Sequence, residues 1–141
     1  MISKDHIETL LFQKLGGTEC FTVDVSVGNN NRITVIVDSD KGITVEQCAE
    51  INRYLEQNLD RNIEDFSIEV SSPGIGNPFK VFRQQQKSIG RDVSVLLADG
   101  RRIMGRMLAA SPALIEIETG NGKIEFIGGP DIKEIKEVLP F

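Results

Sequence analysis

The stretch EVSSPGIGNPFKVF, residues 69–82, lies between two halves of the chain that follow different sequence patterns. An alternating strand pattern leads into Pro73-Gly74, and a Gly-x-Gly at 74–76 is followed by Pro78 and a basic, apolar segment. A glycine pair after a strand belongs either to a loop that binds phosphate or to a junction between two domains. The residues on either side decide between these two interpretations.

Residues 1–72 predict a two-layer α/β domain in the order αββαβ. The spacing of apolar residues in SKDHIETLLFQKLGG and GITVEQCAEINRYLEQNLD indicates two helices, and Thr44 and Gln47 have the spacing of a capping box. CFTVDVSV, RITVIVD and FSIEVS alternate as strands, with GNNN as a hairpin turn between the first two. We therefore expect three strands with a shared apolar face, covered by two helices. The first strand is expected to place four residues on that face: Phe21, Val23, Val25 and Val27.

Residues 81–141 predict a small closed barrel of the SH3 or Sm kind. The strand candidates RDVSVLL, RRIMGRMLAA, ALIEIE, KIEFI and DIKEIKEV follow at about ten-residue spacing, with turn signals such as Asp99-Gly100 between them. Gly105, inside the second candidate, fits a sharp bend at a barrel corner. The predicted fold class is α+β, with domains at 1–72 and 81–141 and a Pro/Gly junction at 73–80. Candidate junction residues are Ser72, Pro73, Gly74, Gly76, Asn77 and Pro78.

The Gly-x-Gly does not complete a dinucleotide-binding pattern. Phe79 occupies the position of the third glycine, and the preceding strand alternates where a parallel strand of such a fold is apolar on both faces. The RQQQK segment that follows offers no apolar face to a sheet. A junction is therefore preferred over a phosphate loop, and Pro73 and Pro78 predict that it is stiff.

A calcium loop that begins at Asp38 and Asp40 is rejected on similar grounds. Gly42 stands where a third ligand belongs, and Ile43 stands where the loop requires glycine. The segment predicts a turn into the second helix. No metal site is expected.

Composition excludes several other classes of protein. The 141 residues are 40% hydrophobic and 26% charged, as in a soluble globular protein, and no apolar run approaches the ~20 residues of a membrane helix. The N-terminus lacks the pattern of a signal peptide, so a cytoplasmic protein is expected. One histidine, His6, and two distant cysteines, Cys20 and Cys48, argue against Ser-His-Asp and Cys-His catalysis and most zinc sites. We expect no cofactor and no small-molecule substrate.

The net charge of −5 is unevenly divided. Residues 1–72 carry 6 basic and 13 acidic side chains, whereas 73–141 carry 10 and 8. Arginines at a hairpin tip are expected to form one basic barrel edge that contacts RNA phosphates, with a merely soluble surface as the alternative. Few aromatic residues are present, so such binding would depend on shape and charge. The segment 80–106 has two acidic residues, Asp92 and Asp99, and seven basic ones: Lys80, Arg83, Lys87, Arg91, Arg101, Arg102 and Arg106.

The second helix carries the acidic counterpart. Glu46, Glu50 and Glu56 lie mainly off its apolar stripe. They form either an ordinary solvated face or an acidic docking surface for a basic partner.

EVSSPGIGNPFK, followed by IGRDVSVLLADGRRIMGRM, resembles the family of the bacterial ribosome maturation factor RimP, and the resemblance spans the chain. Gly76 and Asn77 replace the family's usual Asp-Arg pair and mark where this chain would contact partners differently. The residues that keep the family's junction pattern are Ser71, Ser72, Pro73, Gly74, Ile75, Pro78, Phe79 and Lys80.

The resemblance implies a non-enzymatic factor that binds the free 30S ribosomal subunit rather than the assembled ribosome. Its expected partners are 16S rRNA near the decoding region and a basic ribosomal protein that enters there during late maturation. A monomer is expected. The alternatives are a stand-alone Sm-like RNA-binding module that forms rings, and a nucleotide-binding enzyme.

Overall fold

The computed structural model describes residues 1–74 and 76–138. Ile75, which contributes to the family resemblance, lies outside the described residues. The chain forms two compact units, Met1–Pro73 and Gly74–Phe141, called here the α/β unit and the barrel unit. Among the described residues, no helix has the length and apolar character needed to cross a membrane.

The α/β unit contains three strands and two helices in the predicted order. The N–H of His6 donates to the Ser3 hydroxyl at the start of the first helix (3.1 Å). The predicted capping box is confirmed: Gln47 N–H donates to Thr44 Oγ1 (3.1 Å), and Thr44 N–H donates to Gln47 Oε1 (2.9 Å). The elements are α1 (Lys4–Leu15), β1 (Cys20–Gly28), β2 (Arg32–Ser39), α2 (Val45–Gln57) and β3 (Ser67–Ser71).

The sheet of the α/β unit has the order β1-β2-β3. β1 and β2 form an antiparallel hairpin, while β3 pairs in parallel with β2 after the α2 crossover. Ile7, Leu11, Ile33, Val35 and Leu55, from both helices and the central strand, are fully buried in one core. The core thus lies between the sheet and its helices, as the alternation predicts.

One expectation for β1 is wrong. A β-bulge between Thr22 and Asp24 shifts the register, so that Phe21 pairs with Asp38 while Val25 pairs with Val35. Asp38 and Val35 are three residues apart on β2 and point to opposite faces, so Phe21 and Val25 do not share a face. The sequence alternates without interruption, and the bulge changes which residues face the helices.

The barrel unit contains one short helix followed by five strands. The strands form one antiparallel sheet in the order β7-β6-β5-β4-β8. The predicted α+β fold class, a three-stranded domain with two helices and then a small five-stranded barrel, is confirmed. The elements are α3 (Phe82–Lys87), β4 (Asp92–Leu97), β5 (Arg102–Ala110), β6 (Leu114–Glu118), β7 (Ile124–Gly128), a 3₁₀ turn (Gly129–Asp131) and β8 (Ile132–Glu137).

The sheet wraps around its own apolar core. β5 pairs with β4 over 102–106 and with β6 over 106–110, so the strand turns from one neighbour to the other near Gly105. β7 and β8 stand at the two ends of the strand order and are not paired with each other in the described chain. The hydrogen-bonded closure expected from the sequence is therefore absent. Fully buried core residues are Val93, Val95, Met107, Ile115 and Ile117.

Candidate nucleic-acid interface

Charge is segregated within the barrel unit. The segment 80–106, which forms α3, β4 and the first half of β5, carries seven basic side chains and two acidic ones. The segment 107–131, which includes β6 and β7, has Lys123 as its one basic residue. Its acidic residues are Glu116, Glu118, Glu125 and Asp131. The barrel unit therefore carries a basic stretch, 80–106, and an acidic stretch, 107–131.

Arg91 and Arg106 line one cleft of about 580 Å³. The register brings them together, because Arg106 pairs with Asp92, the residue after Arg91. Arg106 Nε donates to the carbonyl oxygen of Gly90 (3.2 Å), and both residues line the cleft. Arg91 Nη1 lies 3.3 Å from Glu137 Oε1. The structure thus brings together two of the predicted RNA-binding residues.

The same cleft contains acidic residues that sequence reasoning did not assign to it. Glu118 is the cross-strand partner of Arg106, and Asp92 and Glu137 also line the cleft. Their carboxylates compete with a phosphate for the arginines. The strand register alone reveals this neighbourhood, since Glu118 and Glu137 lie far from Arg91 in the sequence.

Arg102 lies on the outer face of β5 and is exposed. Its Nη1 donates to the buried hydroxyl of Ser94 (2.7 Å) on β4. Lys136 of β8 pairs with Ser94 from the other side of β4 and adds a basic side chain to this outer face. Lys136 lies outside the basic stretch, so the sequence analysis missed it. The alternation of β8 shows which of its residues share a face, but the pairing with β4 is needed to place Lys136 near Arg102.

Arg101 is separated from Arg106. Arg102 pairs with Leu96 and Arg106 with Asp92, so the two ends of this pairing are about 13 Å apart along the strand. Arg101 lines a second cleft, of about 350 Å³, in which its Nε is 2.9 Å from Asp99 Oδ2. The single basic edge expected from the sequence is therefore divided between two places on the barrel unit.

The remaining residues predicted to contact RNA lie at the start of the barrel unit. Lys80 is exposed and lies two positions before α3, while Arg83 and Lys87 are half-buried on that helix. Arg83 and Lys87 are four positions apart, so they lie on one face of the helix. Lys80 N–H donates to the buried side chain of Gln84 (2.6 Å), which fixes the entry into α3.

The junction contains a turn whose residues are mostly exposed. Asn77 N–H donates to the carbonyl oxygen of Gly74 (3.3 Å), and Gly76 has φ +93°, a conformation that favours glycine. Pro78 is exposed, and Phe79 packs against the barrel core. Phe79 N–H donates to the carbonyl oxygen of Ile135 (2.7 Å). The junction thus ends as part of the barrel unit.

The acidic residues of the α/β unit form no metal centre in the described part of the chain, where no group of three His, Cys, Asp or Glu side chains could hold an ion. Asp38 is buried and accepts the N–H of Ser39 (2.9 Å). Glu46, Glu50 and Glu56 are exposed on α2.

We expect the pKa of the Asp99 carboxyl to be lower than that of an ordinary aspartate. Hydrogen bonds from the Arg101 N–H and then from its side chain lower the pKa of Asp99. Because the folded pKa is the lower one, the stabilising effect is complete above the ordinary pKa of Asp and is lost as the pH falls through the lowered value. A carboxyl ¹³C titration followed by NMR measures this. Arg101→Gln keeps the backbone donor and should move the pKa only partly upward; an ordinary pKa in the unmodified protein would contradict the assignment.

The fold defines a two-unit α+β protein whose second unit is a small antiparallel barrel. The family model of the RimP N-terminal domain matches residues 11–76. Ribosome maturation factor RimP of Porphyromonas gingivalis W83 is 36% identical over 118 residues, which are 84% of this chain and 78% of that protein. The RimP of Christiangramia forsetii is 40% identical over 122 residues, 86% and 79% of the two chains. The chain belongs to the ribosome maturation factor RimP family.

Among solved structures, a similar chain is the pleiotropic translational regulator Hfq. Its TM-score is 0.36 at 14% identity, with 38% of this chain and 92% of that chain covered.

Proposed function

We propose that the protein is a non-enzymatic ribosome assembly factor that binds the free 30S subunit. In this role it assists late folding and processing of 16S rRNA and the entry of a basic ribosomal protein near the decoding region. The observation that carries the proposal is the segregation of charge in the barrel unit, where seven of the ten basic residues of 73–141 fall within 80–106. Membership of the RimP family supports the ribosomal role.

The basic stretch, 80–106, is suited to phosphates rather than to bases. Arg106 lines a cleft, and Arg102 is exposed on the neighbouring outer face. Such contacts bind the nucleic-acid backbone and carry no sequence information. Aromatic side chains make up 6% of the chain, with no tryptophan, so recognition relies on the shape and charge of folded rRNA.

A ring-forming Sm-like module is the second candidate, and one hydrogen bond argues against it. A ring of small barrels pairs an end strand of one subunit with an end strand of the next. The carbonyl of Ile135 points away from β4, toward the outer edge of β8, and already accepts the N–H of Phe79. We therefore propose a monomer, which works in the cytoplasm without a cofactor.

Sedimentation tests the proposed function. The protein is centrifuged through a sucrose gradient with free small subunits and, separately, with whole ribosomes. We expect it to co-sediment with the free subunit only. Equal association with both, or with neither, would reject the proposal, and a hexamer or heptamer by native mass spectrometry would favour the ring-forming module.

A further inference from the structure

β7 is an end strand whose outer edge has no partner strand in the described chain. Hydrogen bonds from Thr119 N–H to Lys123 O and from Gly129 N–H to Ala113 O fix the alternation of the β6–β7 ladder. In an antiparallel pair, every second residue turns its backbone groups away from the neighbour. The N–H and C=O groups of Ile124, Phe126 and Gly128 therefore point to the free edge.

The other end strand is different. On β8, the outward carbonyl of Ile135 is taken by Phe79. Of the two ends of the sheet, β7 is thus the one that offers a row of backbone donors and acceptors. Such an edge is a template for an added strand.

The side chains on the outer face beside this edge are apolar and exposed. Phe126 is 62% exposed, Ile124 45% and Leu114 41%. Ile124 and Phe126 project on the face whose cross-strand partners are Glu118 and Glu116. An added strand beside β7 would pack its own side chains against these two large apolar side chains.

The charge around the edge selects the partner. The cleft of about 350 Å³ that includes Phe126 is lined by three carboxylates, against one arginine that is paired with Asp99. Glu116 and Glu118 add two more acidic groups on the outer face. The apolar walls of the cleft include Leu97, Ile103 and Ile127. A matching segment therefore needs both apolar and basic side chains.

We propose that β7 binds an extended segment of a partner protein as a sixth strand, and that this segment alternates apolar with basic side chains. A second copy of this chain fits less well. Its β8 edge is engaged by Phe79, and pairing two β7 strands would bring the Glu125 carboxylates of the two copies close together. This binding does not depend on the RNA contacts proposed for the basic stretch, 80–106.

The test uses an acetylated, amidated eight-residue peptide of alternating valine and lysine as the probe, added to the ¹⁵N-labelled full-length protein. We expect shifted resonances and slowed amide exchange at Ile124, Phe126 and Gly128. A peptide of alternating valine and glutamate should bind at least tenfold more weakly. Equal binding of the two peptides, no binding of the lysine peptide, or shifts confined to other strands would overturn the proposal.

Two variants separate the side-chain and backbone parts. Phe126→Lys should weaken binding of the lysine peptide at least tenfold. Phe12→Lys makes the same change at a phenylalanine of α1 that is 79% exposed, and it should leave binding unchanged. Gly128→Pro removes one outward N–H at φ −67°, a value proline adopts, and should weaken binding without disturbing β6. Both variants are first checked for native amide spectra. Unchanged affinity in both, or a concentration-dependent dimer formed through β7, would refute the strand-addition mechanism.

Discussion

Gly105→Ala is expected to lower the free energy of unfolding of the barrel unit by about 1–3 kcal/mol, the usual cost of forcing an extra carbon into a packed interior. A Cβ on Gly105 would collide with the carbonyl oxygen of Glu118 and lie 2.7 Å from Ile117 Cγ2. A backbone carbonyl held in a sheet cannot move aside as a flexible side chain does. The strand must therefore separate from β6 at the position where it turns between its two neighbours.

Hydrogen exchange under denaturant measures this effect separately for the two units. The single tyrosine, Tyr54, lies in the α/β unit, so its fluorescence does not report on the barrel. Gly120→Ala is the matched control, because nothing lies within 4 Å of a Cβ built there. Loss of protection in β4–β6 for Gly105→Ala alone is the expected result. Equal amide protection in the two variants would mean that β6 shifts to accommodate the added carbon at little cost in stability.

Neutralising Arg91, Arg102 and Arg106 together with glutamine is expected to reduce the salt dependence of small-subunit binding. Each lost phosphate contact lowers the slope of log K against log salt by about 0.7–0.9, so three contacts lower it by about 2–3. At ~0.1 M salt this corresponds to about 100- to 1,000-fold weaker binding. Filter binding across a series of salt concentrations gives the slope directly.

The control for this triple variant has the same change in net charge. Arg32, Lys41 and Arg53 are exposed residues of the α/β unit and are replaced by glutamine together. We expect the control to keep the unmodified slope. If both triple variants lost equal affinity, the net charge of the protein would explain the binding, and specific phosphate contacts by the barrel arginines would be ruled out.

Most of the fold follows from local pattern. The helix caps, the β1–β2 hairpin and the five barrel strands depend on residues close in sequence, where turn chemistry and periodicity act. The bulge at Thr22–Asp24 does not, because it is fixed by pairing with β2 and leaves the alternation of β1 intact.

The candidate site follows from the sequence only in part. The β4–β5 hairpin keeps part of the basic stretch together, since residues on neighbouring strands stay close, and the assignment of these residues to RNA stays a prediction. The acidic neighbours of Arg91 and Arg106 come from β6 and β8, and Lys136 from β8, so strand register decides them. The separation of Arg101 from Arg106 follows from the length of β5, because an extended strand moves charges apart by about 3.3 Å per residue.

The position of β8 has a consequence for the order in which the chain folds during synthesis. β4 forms its first ladder with β5, which follows after one turn, but its second ladder waits for β8 at the far end of the unit. Contacts between residues distant in sequence form slowly, because a long loop must close before they are made. The α/β unit is complete much earlier on the nascent chain. A ribosome that makes this protein therefore holds a folded first unit and a barrel unit in which β4 is paired on one side only until Ile132–Glu137 emerges.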